Sequence, residues 1–232
     1  MNQKLLKSLL IFVAVLSFVS ASAQEKWTGI DRYAADNEKL MAAPADTARI
    51  VLLGNSITDF WPTRSPEFFK RHPQLVGRGI SGQTSHQMLV RFREDVVNLH
   101  PKAVVINCGT NDIAENHKIP YSEANTMGNI MSMVEIAKAN GIKVYLASVL
   151  PSKCMYWAPE KTNIADKLAS LNARIKAYAQ QQGITYIDYY SSMVYGTERE
   201  LNPAYTKDGV HPTPDGYRLG MEPVLQSALH LE

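Results

Sequence analysis

The sequence predicts a three-layer α/β domain built on a parallel sheet. Two observations carry this. Short apolar runs recur along the chain at strand length, and helical patterns lie between them, two of them stopped by a glycine (Gly141 and Gly183). Short, near-continuous apolar runs suit parallel strands buried on both faces. Alternating strands and helices imply right-handed crossovers, which cover both faces of one sheet with helices.

Taken in order, Asp31–Met41 is a first helix expected to lie across the domain. The expected strands are Arg49–Leu53, Leu75–Gly79, Ala103–Cys108, Lys143–Val149 and Thr185–Ile187. Ser85–Leu99 follows the second strand as a helix. Ser122–Ala139 places Met127, Ile130, Met131, Val134 and Ile136 on one broad apolar face and stops at Gly141. Thr162–Gln181 carries Ile164, Leu168, Leu171, Ile175 and Tyr178 at helical spacing and ends at Gly183. Asp215–Leu229 closes the chain. Pro214 suits its start, and Pro223 should bend or interrupt it.

Composition narrows the function. Residues 1–23 read as a secretory signal: Lys4 and Lys7 precede the apolar run Leu9–Val19, and Ala21-Ser22-Ala23 is a small-residue cleavage site. That run is short for a bilayer span, with an uncleaved anchor as the alternative. The expected product is one domain, residues 24–232, located in the periplasm or outside the cell. No cysteine follows the cleavage site, so no lipid anchor, and no stable membrane anchor, is expected after cleavage. Removing the segment takes away two lysines and no acids, so the rest balances its charges. No basic stripe points to nucleic acid. Oligomeric state is not readable. Cys108 and Cys154 each follow an expected strand, and a disulfide between neighbouring strands is open to them, yet Cys108 ends a core strand and a buried free cysteine is common. No His/Cys spacing suggests a metal, and no cofactor is expected.

Four motifs carry chemistry. Gly54-Asn55-Ser56-Ile57 follows the first strand, Gly79-Ile80-Ser81-Gly82 the second, Gly109-Thr110-Asn111-Asp112 the third, and Asp208-Gly209-Val210-His211 lies near the C-terminus. Ligands of open α/β sheets bind beyond the carboxyl ends of the strands, so these segments should converge. Ser56 is a candidate nucleophile, His211 its base and Asp208 the group that orients His211. The backbone N–H groups of Ser56 and Gly82 and the side-chain amide of Asn111 are candidate donors to a developing oxyanion. Singly, each has a plainer reading. Ser56 could cap a helix beginning at Ile57, Gly82 could serve a turn, and Asn111 could be turn chemistry. Asp112 reads as structural. His72, His86, His100, His117 and His230 lack a comparable partner pattern, with His86, near Gly82, the strongest exception.

With Ser56, Gly82, Asn111 and His211 in order and Asp208 three residues before the histidine, the chain resembles the SGNH hydrolases, also called GDSL esterases, from about Ile50 to His211. Asn55 stands where the name motif has Asp, and Ile57 where it has Leu. The resemblance implies a five-stranded parallel sheet in flavodoxin-like order 2-1-3-4-5. It also implies cofactor-free hydrolysis of carboxylic esters through an acyl-enzyme. Small acyl groups, above all acetyl on a carbohydrate, are the expected substrates, small-molecule or polysaccharide. A lysophospholipase or thioesterase, or a non-catalytic carbohydrate-binding module, are the alternatives. Trp61–Pro73, Pro151–Glu160 and Ser191–Asp208 should be loop or short helix near the catalytic edge. They place Trp61, Tyr156 and Trp157 at the mouth as sugar-stacking or acyl-lining aromatics, or as loop anchors. Arg78 and Arg91 flank the Gly82 segment. Both are candidates for an anionic substrate group, Arg78 above all, with a structural ion pair as the alternative for each.

Overall fold

The computed structural model describes residues 27–43 and 48–231. The expected signal segment 1–23 lies outside them. The elements run α1 (Ala34–Ala42), β1 (Ile50–Gly54), α2 (Ser56–Arg64), α3 (Pro66–Arg71), β2 (Leu75–Gly79), α4 (Ser85–Asp95), β3 (Ala103–Ile106) and α5 (Thr110–Ile113). They continue with α6 (Glu123–Ala139), β4 (Lys143–Ala147), α7 (Ile164–Gln181), β5 (Thr185–Ile187), α8 (Tyr189–Met193), the short hairpin β6 (Val194–Tyr195) and β7 (Glu200–Leu201), a π-helical turn Gly216–Met221, and α9 (Glu222–Leu229). The main sheet has the order β2-β1-β3-β4-β5, with every pairing parallel.

Successive strand side chains point to opposite faces, and the core divides accordingly. Val51, Leu53, Val104, Ile106, Val144 and Leu146 join Met88, Phe92, Ile130, Val134, Leu168 and Ile175 on one side. Ile50, Leu52, Val105, Tyr145 and Ala147 join Ile57, Trp61, Phe68, Tyr217, Met221 and Leu225 on the other. Both faces are therefore covered by helices, as continuous apolar strands require.

The register places the site. Gly54 pairs with Gly79, and Leu53 with Ile106, so three strands end level with one another. Cross-strand bonds continue one residue beyond the ladders, Ile80 N–H to Gly54 O at 3.1 Å and Asn107 N–H to Leu53 O at 3.0 Å. The segments carrying Ser56, Gly82 and Asn111 leave the sheet side by side. The Arg91 guanidinium fastens the first two from below. It donates to Gly54 O at 2.9 Å, to Arg78 O at 3.0 Å, to Gln83 Oε1 at 2.6 Å and to Asp95 Oδ2 at 2.8 Å, with no solvent exposure.

Several boundaries differ from the sequence reading. β3 stops at Ile106, although the Asn107 N–H still bonds Leu53 O and its side-chain amide donates to Ser148 O at 2.7 Å. Ser122 caps α6 instead of opening it. The expected closing helix is a π turn followed by α9. Pro223, which has no N–H to offer the preceding turn, sits in the first turn of α9. Trp61–Pro73, expected as loop or short helix, takes the second form, because α2 begins directly at Ser56 and α3 follows it.

Candidate active site

Asn55 opens the site. Its side chain accepts from Ile57 N–H at 3.0 Å and caps α2, so the cap is Asn55 and not Ser56. Ser56 is left as the first helical residue with its hydroxyl unused by the backbone. Its own N–H falls in the first turn, where no intrahelical partner exists. Ser56 and His211 are each 8% exposed, enough for a small group to reach them.

The loop after Tyr205 delivers the imidazole. Asp208 Oδ1 accepts from the N–H groups of Val210, at 2.9 Å, and His211, at 2.7 Å. Gly209, at φ +78°, supplies the left-handed turn that lets the carboxylate reach forward three residues to His211. Asp208 Oδ2 lies 2.8 Å from His211 Nδ1, and His211 Nε2 lies 2.9 Å from Ser56 Oγ. A carboxylate only accepts, so the imidazole proton sits on Nδ1 and Nε2 is left to accept from the hydroxyl. Partial burial works to raise the Asp208 pKa. The hydrogen bonds from the His211 backbone, its ring and Val210 outweigh that and hold the carboxyl below its usual range.

Gly82, at φ +80°, turns its loop back over the cleft in a conformation that side-chain-bearing residues avoid. Asp59 of α2 accepts from Ser81 N–H at 3.2 Å and from its hydroxyl at 2.6 Å, which pins this loop to the nucleophile helix. Asn111 lines the cleft. Its Nδ2 donates to Gln83 O at 2.9 Å, and its Oδ1 accepts from Asn116 Nδ2 at 3.1 Å. One Nδ2–H of Asn111 is thereby left for a ligand. Asp112 is structural, as expected. It holds Ser85 N–H at 2.9 Å, the Ser85 hydroxyl at 2.5 Å and the Thr126 hydroxyl at 3.1 Å.

Ser56, Gly82, Asn111 and His211 share a cleft of about 260 Å³ whose walls are Phe60, Tyr156 and Trp157. Ring centroids of Phe60, Trp157 and Tyr156 lie 5.3, 6.1 and 6.2 Å from that of His211. Tyr156 is 58% exposed. Trp157 is anchored by a bond from Nε1 to Asn116 Oδ1 at 2.9 Å.

Two of the expected substrate-binding residues lie elsewhere. Trp61 is in the core, stacked on Tyr217 at 5.3 Å, with Nε1 donating to Glu222 Oε1 at 3.2 Å. It stands one turn after buried Ile57 on α2, so both face the sheet, and the neighbouring Phe60 faces the cleft. Arg78 is 4% exposed beneath α1. Its Nε and Nη2 donate to Asn37 Oδ1 at 2.9 and 2.7 Å, and its guanidinium covers the Tyr33 ring. It cannot meet a substrate. Arg91 forms the ion pair with Asp95. His86 lies beside Asp112 and Tyr121, apart from the cleft. Cys108 and Cys154 are both free thiols, and burial, with Asp112 adding to it, pushes the Cys108 thiol well above its usual pKa. Among the described residues no group of His, Cys, Asp or Glu could hold a metal, and no helix is long and apolar enough to cross a membrane.

Asn116, Gln83 and Phe60 were not singled out in the sequence. Asn116 sits between Glu115 and His117, both at positive φ, on a strained turn with no sequence signal. Gln83 and Phe60 each adjoin a residue of interest, and only the three-dimensional arrangement separates them from their neighbours.

Fold and cleft together define a class, the ester hydrolases built on a three-layer α/β sheet. Residues 52–219 match the model of the GDSL-like lipase/acylhydrolase family, and the chain belongs to that family, the SGNH hydrolases, as a carboxylic ester hydrolase. It is similar to a Bacteroides fragilis protein named as a candidate acylhydrolase, with 54% identity over 88% of this chain and 97% of that one, and a TM-score of 0.84. A GDSL-like lipase from Bacteroides thetaiotaomicron is 50% identical over 88% and 98%, at a TM-score of 0.83. An acetylxylan esterase from Geobacillus stearothermophilus shares the fold at 17% identity and a TM-score of 0.66, covering 82% of this chain and 98% of that one. An uncharacterized lipoprotein of Bacillus subtilis is 33% identical over 79 residues, which span 33% of this chain and 32% of that protein.

Proposed function

We propose that this chain is an exported esterase that removes short acyl groups, chiefly acetyl, from carbohydrates, with Ser56, His211 and Asp208 as its catalytic triad. The observation that carries the triad is the continuous line of contacts, 2.9 Å from Ser56 Oγ to His211 Nε2 and 2.8 Å from Nδ1 to Asp208. Ser56 Oγ attacks the ester carbonyl carbon while its proton passes to Nε2. The oxyanion takes hydrogen bonds from Ser56 N–H, Gly82 N–H and Asn111 Nδ2–H. As the tetrahedral intermediate collapses, the C–O bond to the alcohol breaks and Nε2 returns the proton to the leaving oxygen. Water then repeats the sequence on the acyl-enzyme, releasing acid and free Ser56. Asp208 stays ionised and stabilises the imidazolium.

The short-acyl preference is supported by the cleft's modest volume and by the polar side chains of Ser81, Asn111 and Asn116 along it. The exposed Tyr156 ring beside Trp157 offers an apolar face for a sugar. Export is supported by the signal-like residues 1–23, with residues 24–232 as the single catalytic domain. The partial likeness to a lipoprotein is compatible with export.

Two measurements test the reading. A serine-reactive phosphonate should modify Ser56 in the folded protein and leave Ser56→Ala untouched; an unmodified wild type would favour a binding module. Each buried methylene adds about 0.8 kcal/mol, so a long acyl pocket would show in p-nitrophenyl esters as kcat/KM rising to about eight carbons or beyond. The expected maximum is at acetyl or close to it.

A further inference from the structure

A second depression, of about 240 Å³, adjoins the Ser56 cleft at His211, which lines both. Arg64, Lys207, Asp208 and Thr213 line it together with His211 itself. We propose that it binds a carboxylate on the alcohol half of the substrate, as in an acetylated uronic acid. The inference rests on the esterase reading, because that reading fixes which half of the ester faces this way. Nε2 must return its proton to the leaving oxygen, so the alcohol lies on the His211 side of the scissile bond. A group attached to that alcohol can then enter a depression that His211 shares with the cleft.

The lining is built for an anion. Arg64 Nη1 donates to Pro212 O at 2.6 Å, and its guanidinium lies 4.6 Å over the Phe60 ring. Both contacts hold the fork in place and leave Nε and Nη2, the edge that pairs side-on with a planar carboxylate. Lys207 adds a second cation. Among the described residues neither enters an ion pair. Asp208 is the one acid in the lining, and its charge is already engaged. Oδ1 is held by two backbone N–H groups and Oδ2 by the imidazole. Phe60 walls the Ser56 cleft and lies under Arg64, so one ring joins the acyl site to the anion site.

Equilibrium binding to Ser56→Ala, which lacks the attacking hydroxyl, tests this directly. At low ionic strength methyl β-glucuronide should bind roughly five- to ten-fold more tightly than methyl β-glucoside, the sum expected of two partly exposed charge pairs. Adding Lys207→Gln should lower that ratio by roughly two- to three-fold, and Arg64→Gln further; Lys207 is exposed, so its replacement does not threaten the fold. About 0.5 M salt should also compress the ratio. Equal affinities, or binding too weak to measure for both sugars, overturn the proposal. Phosphonate labelling of wild-type Ser56 is read separately. Labelling with equal affinities leaves the esterase reading standing, whereas a folded but unlabelled protein overturns that reading whatever the affinities are.

Discussion

Asn116 Nδ2 donates to Asn111 Oδ1 across 3.1 Å. The same amide nitrogen donates to Gly82 O at 3.0 Å, and Asn116 Oδ1 accepts from Trp157 Nε1 at 2.9 Å. One side chain thus orients the Asn111 amide, braces the Gly82 loop and anchors an aromatic wall.

Removing this brace should loosen the donors without removing them. Asn116→Ala is expected to lower kcat on p-nitrophenyl acetate about ten-fold, against about 10²–10³-fold for Asn111→Ala, which deletes a donor outright. Steady-state kinetics on both variants decide the order. Equal losses would mean that Asn116 itself touches the oxyanion, and an unaffected Asn111→Ala would remove Asn111 from the oxyanion hole.

Asp208 should mark the acid stability of the fold. Its folded pKa lies below the ordinary value because hydrogen bonds from His211 and Val210 outweigh the effect of burial. A depressed carboxyl stabilises the fold above its unfolded pKa, about 3.9, and that contribution is lost as pH falls through the lower native value. Asp208→Asn should therefore melt below wild type at neutral pH, and the gap should close as pH falls below the unfolded value and through the lower native one. Thermal melts across pH check this; a gap that widens in acid contradicts the assignment.

Arg91 and Asp95 have no exposed side-chain surface. Arg91→Met leaves Asp95 as a buried charge and should cost about 3–5 kcal/mol in denaturant unfolding. The double replacement Arg91→Met with Asp95→Leu should recover part of the loss, although the bonds to Gly54 O and Arg78 O stay broken. A single-variant loss below about 1 kcal/mol would show that the pair is not a strut of the site.

Trp61 and Tyr156 should separate stability from binding. Trp61→Ala empties a core position and should cost about 3–5 kcal/mol. Tyr156→Ala, at an exposed ring, should stay within about 0.5 kcal/mol of wild type while raising KM for acetylated sugars several-fold. Unchanged KM in that variant would detach Tyr156 from the substrate.

Much of the molecule was legible because local chemistry decided it. The strands Leu75–Gly79 and Thr185–Ile187 coincide with their apolar runs. The sheet order agrees with what the family resemblance implied. The segments of Ser56, Gly82 and Asn111 converge because each leaves a parallel strand at the same end. Trp61 lies in the core because the helix from Ser56 runs through it: at about 100° per residue it comes round to the face of buried Ile57, while Phe60 turns to the cleft. Arg78 was misplaced because a charged residue on a strand reads as surface until a helix from elsewhere, here α1 with Asn37, covers it.

Period, turn residues and motif order are properties of neighbours along the chain, and they determined the layered parallel sheet, the reactive hydroxyl, and the carboxylate–imidazole pair within one tight loop. Side-chain identity alone did not decide which aromatic faces substrate, which arginine is buried and which is presented, or that Asn116 aligns Asn111. All but the last depend on contacts between residues tens of positions apart, and the last on the turn that brings Asn116 back onto Asn111. Such contacts exist only once packing has chosen which face of each element is withdrawn from water.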